Sequence, residues 1–491
     1  MSTSEPVSNR RDTQLRAGSL SLWPIIALGL AYMSLAPVIY FNMGLIESLT
    51  GQIMPLVFLI ITVAVIPTAI SFAVMNNRRP SAGSAFTWLW ESTVPSVGLW
   101  LGWILTTAYF VVAALYPPIF GLFFNSFLDF FGIGTSYWTA ILGGIILVAV
   151  VAVLIYRDIQ LSAKAIAALM VFEAGFVALL ALYIVIRQGA DGELSLGPFN
   201  PAEATAGFDG VILALVFAFL SIAGIDSVAP VAEEAEAPRS IIPLATILVT
   251  VIAGLYYALV SYGFAVAVPV ERVLEFVEAG EVTPVYPIAD EYIGVLRVLV
   301  PITGFTAAAA SFAASIVCGS RLLYAVSREG FAPKWFGRLH PTFQTPWNAA
   351  RLALGFALVF PILMVFWQDR NEGLAAAWIG QAFVFFILIP YIFVNIANLL
   401  YHWRYRRDEL NVVTNVIAPI LGAGICAYIL YKAFFDTLLD LPFKTGKSIV
   451  IVSALWALLG VAWAAWTVSQ KRALVAERSA ALGSASRAAG S

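Results

Sequence analysis

Apolar runs of bilayer-crossing length, separated by short polar clusters, set the rhythm of this chain. A helical span needs roughly 20 mostly apolar residues. On that rule twelve segments qualify, at about 21–46, 54–75, 94–124, 136–156, 162–186, 208–232, 243–268, 297–326, 347–367, 374–401, 413–434 and 447–469. No connection between them exceeds about 30 residues, which leaves no room for a soluble catalytic domain. The pattern predicts an all-α membrane protein with about twelve transmembrane helices. A polar tail (1–20) precedes the membrane domain (21–470), and a second tail (471–491) follows it.

Composition strengthens this picture. Only 11% of the 491 residues are charged, where a soluble chain carries about 25%. The net charge of −2 gives no reason to expect a nucleic-acid partner. The two cysteines, Cys318 and Cys426, stand far apart in apolar segments and imply neither a disulfide framework nor a metal site. The N-terminal tail lacks the small-residue cleavage site of a signal peptide, so the first apolar segment is expected to be retained. With twelve spans and the N-terminus inside, 20 of the 27 Lys and Arg residues fall on the inner side. Lys/Arg bias sets orientation, so both termini are expected to be cytoplasmic.

Two spans are interrupted near their middles. The first reads SLWPIIALGLAYMSLAPVIYFNMGLIE, with a helix-weak patch at Ser34-Leu35-Ala36-Pro37. Pro37 lacks an amide hydrogen and crowds the carbonyl four residues back, which predicts a kink or opening there. Five spans later, FLSIAGIDSVAPVAEEAEAP carries Ser221-Ile222-Ala223-Gly224 and then a carboxylate, Asp226. Gly and Pro are common in membrane helices, and each interruption alone is consistent with a mere kink. Paired interruptions at corresponding positions of two five-span halves instead point to the substrate site of a transporter built from inverted repeats. The halves are about 21–186 and 208–402, leaving helices 11–12 at about 413–469.

Three blocks resemble the amino acid–polyamine–organocation (APC) family of permeases. Gly224-Ile225-Asp226, Glu233-Glu234 and Pro238 fit a G-[FI]-[DE]-x6-E-E-x3-P pattern. RRPSAGSAFTWLWESTVPSVGLWLGW (78–103) is similar to the family's basic loop and entry to the third span. SRLLYAVSREGFAPKWFGRLHPTFQTPWNA (320–349) is similar to its loop after the eighth span. The resemblance implies the LeuT-type fold, with five-plus-five inverted repeats and broken helices 1 and 6. It also implies a substrate held between the breaks. Freed amides around Ser34, Leu35, Ala36 and Val38 would face an anion, and freed carbonyls around Ser221, Ile222, Ala223 and Gly224 would face an ammonium group. Irregular backbone at this depth is tolerable only where it lines a cavity. An α-amino acid carries both charges and suits such a site. Members often place an aromatic lid where this chain has Leu220, so Phe217 or Phe219 is a candidate replacement.

Further lining candidates follow from position near mid-span. They are Thr106, Thr107, Tyr109 and Phe110 in span three, Thr303 and Thr306 in span eight, and Trp378, Gln381 and Phe385 in span ten. Ordinary interhelical packing is the alternative for each.

Several proton-coupled members carry a lysine in the fifth span. Laying IQLSAKAIAALMVFEAGF along that span places Glu173 there. An intramembrane ionisable group is a functional candidate by default, so Glu173 is the candidate coupling group, with Ser311 or Ser315 as neighbours. A glutamate that packs two helices is the alternative. Asp226 reads as a cap for the second half of helix six, or as a proton relay. Glu233 and Glu234 are expected to pair with inner arginines as a gate or latch.

No HExxH, GxSxG or phosphate-cradling glycine loop is present, and the chain is not expected to be an enzyme or to use a cofactor or metal. A pore-lining charged ring is also lacking, which argues against a channel. The sequence therefore predicts a secondary transporter in a plasma membrane, surrounded by lipid. Its expected substrate is a neutral amino acid, taken up with protons. An amino acid/amine exchanger and a polyamine or cationic amino acid permease are the alternatives, with a non-transporting receptor behind them.

Overall fold

A computed structural model describes residues 15–156, 159–205, 207–278 and 283–478. The regular structure of the described segments is helical, and apart from one bridge between Leu20 and Ala235 no strand forms among them. Arg10, Arg11, Arg157 and Arg487, all counted on the inner side, lie outside the described residues.

Helices α1 (Leu22–Tyr32) and α2 (Leu35–Thr50) make the first span, and α3 (Met54–Arg78) the second. Short α4 (Ala85–Ser92) leads into α5 (Pro95–Phe130), α6 (Tyr137–Tyr156) and α7 (Ile159–Asp191), the third to fifth spans. Then come α8 (Gly207–Ile222), which opens the sixth span, and α9 (Pro238–Ala265), the seventh. The connecting helices α10 (Val270–Glu278) and α11 (Val285–Ile293) precede α12 (Leu299–Arg328), α13 (Trp347–Trp367) and α14 (Glu372–Tyr405). Helices α15 (Ala418–Leu430) and α16 (Ser448–Gln470) close the bundle.

Ten stretches among the described residues are long and apolar enough to cross a membrane. One of them, Leu22–Arg78, contains the first two spans, and the short apolar Gly210–Ile222 belongs to the interrupted sixth. Twelve passes result, in the order the hydrophobic pattern predicts.

Small and polar residues bring the helices together, as expected where lipid removes the hydrophobic drive between them. Gly254 of α9 lies so close to α3 that a Cβ there would stand 2.0 Å from Thr62 Oγ1. On the other side of α3, Asn395 of α14 donates to Thr68 at 3.0 Å and Asn398 donates to Ser71 at 3.2 Å. Asn415, just before α15, donates to Asn398 Oδ1 at 3.0 Å, which ties the eleventh span to the same seam.

The first break spans only Met33 and Ser34. Ser34 has φ 58° and ψ 62°, a left-handed conformation that costs a non-glycine residue roughly 1–2 kcal/mol. Pro37, expected to cause the opening, is instead the third residue of α2. Amides of a first turn have no intrahelical acceptor, so proline is tolerated there. The second interruption is larger. Helix α8 ends at Ile222, residues 223–228 form successive turns, and Ala229–Glu234 is a short 3-10 helix. The sixth span thus has no second α-helical half for Asp226 to cap.

Candidate functional site

The two breaks pack directly on each other. A Cβ at Gly224 would stand 2.7 Å from Met33 Cγ and 3.0 Å from Tyr32 Cδ1, so only glycine permits the approach. Gly224→Ala is therefore expected to cost about 1–3 kcal/mol through overpacking, measured as a lower thermal unfolding midpoint in detergent.

The Tyr257 hydroxyl of α9 lies 2.9 Å from the Met33 carbonyl and 3.1 Å from the Ser221 carbonyl, so one side chain reaches both breaks. Asn42 of α2 donates to Ser221 Oγ at 2.6 Å. Ser311 of α12 donates to the Ala31 carbonyl at 2.6 Å, and Tyr116 of α5 donates to the Tyr32 carbonyl at 3.2 Å. The bonds from Tyr257, Ser311 and Tyr116 occupy backbone carbonyls that the interruptions release, as burial demands.

Each intramembrane acid is engaged differently. Glu173 is fully buried, and its Oε2 accepts from the backbone amide of Ala36, 137 residues away, at 2.9 Å. Its Oε1 has no hydrogen-bond partner among the described residues. Asp226, also fully buried, accepts from two tyrosine hydroxyls, Tyr109 of α5 on Oδ2 and Tyr391 of α14 on Oδ1, the latter at 2.6 Å. Tyr391 in turn accepts from the Gly224 amide at 3.0 Å. Asp226 thus anchors the second break to α5 and α14 through side chains, where the sequence pointed to backbone capping.

Beside the breaks lies a cavity of about 80 Å³. Of the residues proposed from the sequence, Ser34, Val38, Leu220 and Ala223 line it, together with Tyr32, Met33, Pro37, Phe41, Asn42, Val112, Leu115, Tyr116, Ile119 and Phe383. Leu35, Ala36, Phe219, Ser221, Ile222 and Gly224 are buried and do not line it. Phe217 is half-buried and does not line the cavity.

Thr107 and Trp378 lie elsewhere. They line a separate apolar cavity of about 520 Å³ between α5, α13, α14 and α16. Thr107 donates to the Trp103 carbonyl at 2.9 Å and accepts from Trp456 at 2.9 Å, while Trp378 donates to Ser448 at 2.9 Å. Helix α5 is 36 residues long, so its centre falls about a turn and a half beyond Thr107. The residues facing the site, Val112, Leu115, Tyr116 and Ile119, recur at the three-to-four spacing of one helical face. Thr107→Val and Trp378→Phe are expected to leave substrate affinity within about twofold of the parent, as read by equilibrium binding.

After the second break the chain is fastened to α12. Buried Glu234 meets Arg321 in a two-point contact through Nε and through Nη2, the second at 3.0 Å. Glu233 meets Arg328 through two bonds of 2.7 Å and accepts from the Ala82 amide at 3.2 Å. The two arginines are seven residues apart, two turns along one face. The segment before α1 joins the same cluster. Ser19 and Leu20 donate to the Glu234 carbonyl at 2.8 and 3.0 Å, and Glu236 donates to Leu20 at 2.9 Å.

Burial pushes the Glu233 carboxyl up, and Arg328 outweighs it, leaving the group below its ordinary value. A depressed value means the pair contributes at pH above the ordinary carboxylate range of about 4.3 and weakens as pH falls below it. From about pH 5 to 8, transport should therefore show no dependence arising from this pair. Glu233→Gln/Arg328→Gln, which removes both charges together, should change rate without moving the pH profile in that window. No cluster of three or more metal-ligating side chains forms among the described residues.

Twelve passes, two facing interruptions and a cavity beside them make up the architecture of a multi-pass membrane transporter. The chain belongs to the amino acid permease family, whose sequence model matches residues 20–463. It is similar to the low-affinity putrescine importer PlaP of Escherichia coli (strain K12), 24% identical over 453 residues covering 91% of this chain and 93% of the relative. It is also similar to the branched-chain amino acid permease BcaP of Lactococcus lactis subsp. cremoris (strain MG1363), 23% identical over 80% of this chain and 82% of the relative. Among solved structures, the manganese transporter of Eremococcus coleocola superposes with a TM-score of 0.55 at 12% identity, covering 92% of this chain and 95% of that one. That likeness concerns the fold.

Proposed function

We propose that this permease takes up an amine-bearing solute, an amino acid or a related amine, by proton-coupled alternating access across a plasma membrane, with both termini cytoplasmic. One observation carries the proposal: the hydrogen bond from the Ala36 amide to Glu173, which ties α7 to the first break beside the cavity. A carboxylate holds an amide more strongly than a neutral acid does, because charge-assisted bonds are the stronger class. Taking up a proton at Glu173 would loosen α2 from α7, and releasing it would restore the tie. Proton binding and movement of the broken helix are coupled in this way.

The solute class draws support from relatives whose names include putrescine and branched-chain amino acids. A neutral amino acid held at the amides of the first break finds less support, because Glu173 already engages one of them.

Proteoliposomes with separately imposed proton and sodium gradients test the reading. The parent should accumulate solute with the proton gradient alone. Glu173→Gln should lose that accumulation yet retain counterflow at saturating solute. Undiminished proton-driven accumulation by Glu173→Gln would sink the proposal.

A further inference from the structure

We infer that the 520 Å³ cavity between α5, α13, α14 and α16 is a phospholipid site, in which one acyl chain lies along the helices and the phosphate meets Lys471. The inference goes beyond the permease reading and does not depend on which solute is carried. No Asp, Glu, Lys, Arg or His lines this cavity among the described residues, so a charged solute finds no counter-charge there. Its polar groups are largely taken up within the protein. Thr106 and Thr107 donate to carbonyls of their own helix at 2.7 and 2.9 Å, and the indole N–H groups of Trp378 and Trp456 donate to hydroxyls. Ser453 and Trp103 keep one unpartnered polar atom each. An ordered water needs about 2–4 polar partners, too many for this lining to supply. An empty cavity costs stability in proportion to its volume. Apolar matter is the occupant that fits.

The cavity is long in the direction of the helices. Trp378, Ala382 and Phe386 of α14 and Leu352, Phe356 and Phe360 of α13 face it at four-residue spacing, one stripe on each helix. On α16 the lining runs from Val452 to Trp463, eleven steps of about 1.5 Å, or about 16 Å. That is about half of a hydrocarbon core of about 30 Å, the depth of one leaflet. The cavity also opens sideways. Helices α13 and α16 both pack on α5 but scarcely on each other. Leu352 and Trp456, one from each, line the cavity while 44% and 40% exposed. The bilayer itself meets that opening, and its acyl chains are the apolar molecules at hand.

Charge marks one end. Phe331, Ala332 and Pro333 line the cavity on the side of the N-terminal segment, whose Leu15 packs with nearby Tyr324 and Leu339. Lys471, just past α16, holds its Nζ 6.0 Å from the centre of the Phe331 ring. It donates to the Gly330 carbonyl at 2.6 Å. An ammonium group has three donors, so two remain for a phosphate. Lys334 follows Pro333 directly and is exposed. The neighbouring acid, Glu329, lies 3.3 Å from Arg478.

Photolabelling and native mass spectrometry of the purified full-length protein test this. Dioleoylphosphatidylglycerol carrying a diazirine in one acyl chain, supplied in nanodiscs, should place its adducts on the lining peptides of α5, α13 and α16 rather than evenly over the exposed helices. One phospholipid should stay bound per chain after transfer to mild detergent. Ala382→Trp, which puts an indole into the cavity, should lower both readings by about tenfold or more. Leu352→Trp, at the opening, takes its place if that variant does not fold. Lys471→Ala should weaken retention by about threefold, the size usual for a partly exposed ion pair, and Lys471→Arg should restore it. Even labelling of the surface, parental retention in the blocked variant, or unchanged retention in Lys471→Ala would each overturn the inference. So would a detergent molecule that added phospholipid does not displace, or a dimer formed through this face in place of the lipid. Each of these outcomes leaves the permease reading standing.

Discussion

Arg321→Met alone should destabilise the protein by about 3–5 kcal/mol, the usual cost of leaving one partner of a buried ion pair uncompensated. Glu234 is fully buried and Arg321 only 2% exposed, so water cannot take the place of the missing guanidinium. Glu234 would keep none of its side-chain bonds to α12, and its charge would remain in an apolar setting. The double variant Glu234→Gln/Arg321→Met should recover most of the loss, because replacing both members of such a pair is often near neutral. Thermal unfolding of the two single variants and the double variant closes the cycle. Additive losses would show that the pair is not coupled.

The same cycle has a functional readout. Cys318 lies one turn before Arg321, buried, and its thiol donates to the Ser227 carbonyl at 3.2 Å in the turns of the second break. If the Glu234–Arg321 contact holds this side shut, the double variant should open it while remaining folded. In a Cys426→Ser background, Cys318 should then react faster with a membrane-impermeant maleimide applied from the side that carries the N-terminal segment. An unchanged labelling rate would make the pair structural alone.

The twelve passes were legible in the sequence because length and apolarity are local properties. The first break was legible in kind but displaced. Proline was taken as its cause, yet Pro37 fits the first turn of α2 and the left-handed residue is Ser34. The second break was legible at Ser221–Gly224, and Pro230, which has no amide hydrogen, marked the stretch after it as poor α-helix, whereas the particular run of turns and short 3-10 helix there was not legible.

What the sequence hid is set by contacts between distant positions. A tyrosine in an apolar run reads as packing until the fold brings Tyr257 within reach of residue 33, 224 positions away, and of residue 221. Thr107 and Trp378 were placed at the site from mid-run position. That logic fails when a helix such as α5 overshoots the bilayer. The seven-residue spacing of Arg321 and Arg328 did carry a signal, because it matches two turns of a helix and faces the adjacent pair Glu233 and Glu234.

Asp226→Ala should cost about 2–6 kcal/mol, since it leaves two buried hydroxyls, Tyr109 and Tyr391, without an acceptor at about 1–3 kcal/mol each. Both tyrosines are fully buried, so no solvent compensates. Asp226→Asn should recover most of that loss. Its carbonyl still accepts from one hydroxyl, and the other hydroxyl can rotate to accept from the amide nitrogen. The Asn variant separates anchoring from proton transfer, because asparagine keeps the geometry and cannot titrate. If Asp226 only fixes the second break to α5 and α14, Asp226→Asn will still accumulate solute with a proton gradient, while Glu173→Gln will not. Thermal unfolding and gradient-driven uptake on the same preparations check both halves. A stable Asp226→Asn protein that has lost proton-driven accumulation would move the coupling step from the first break to the second.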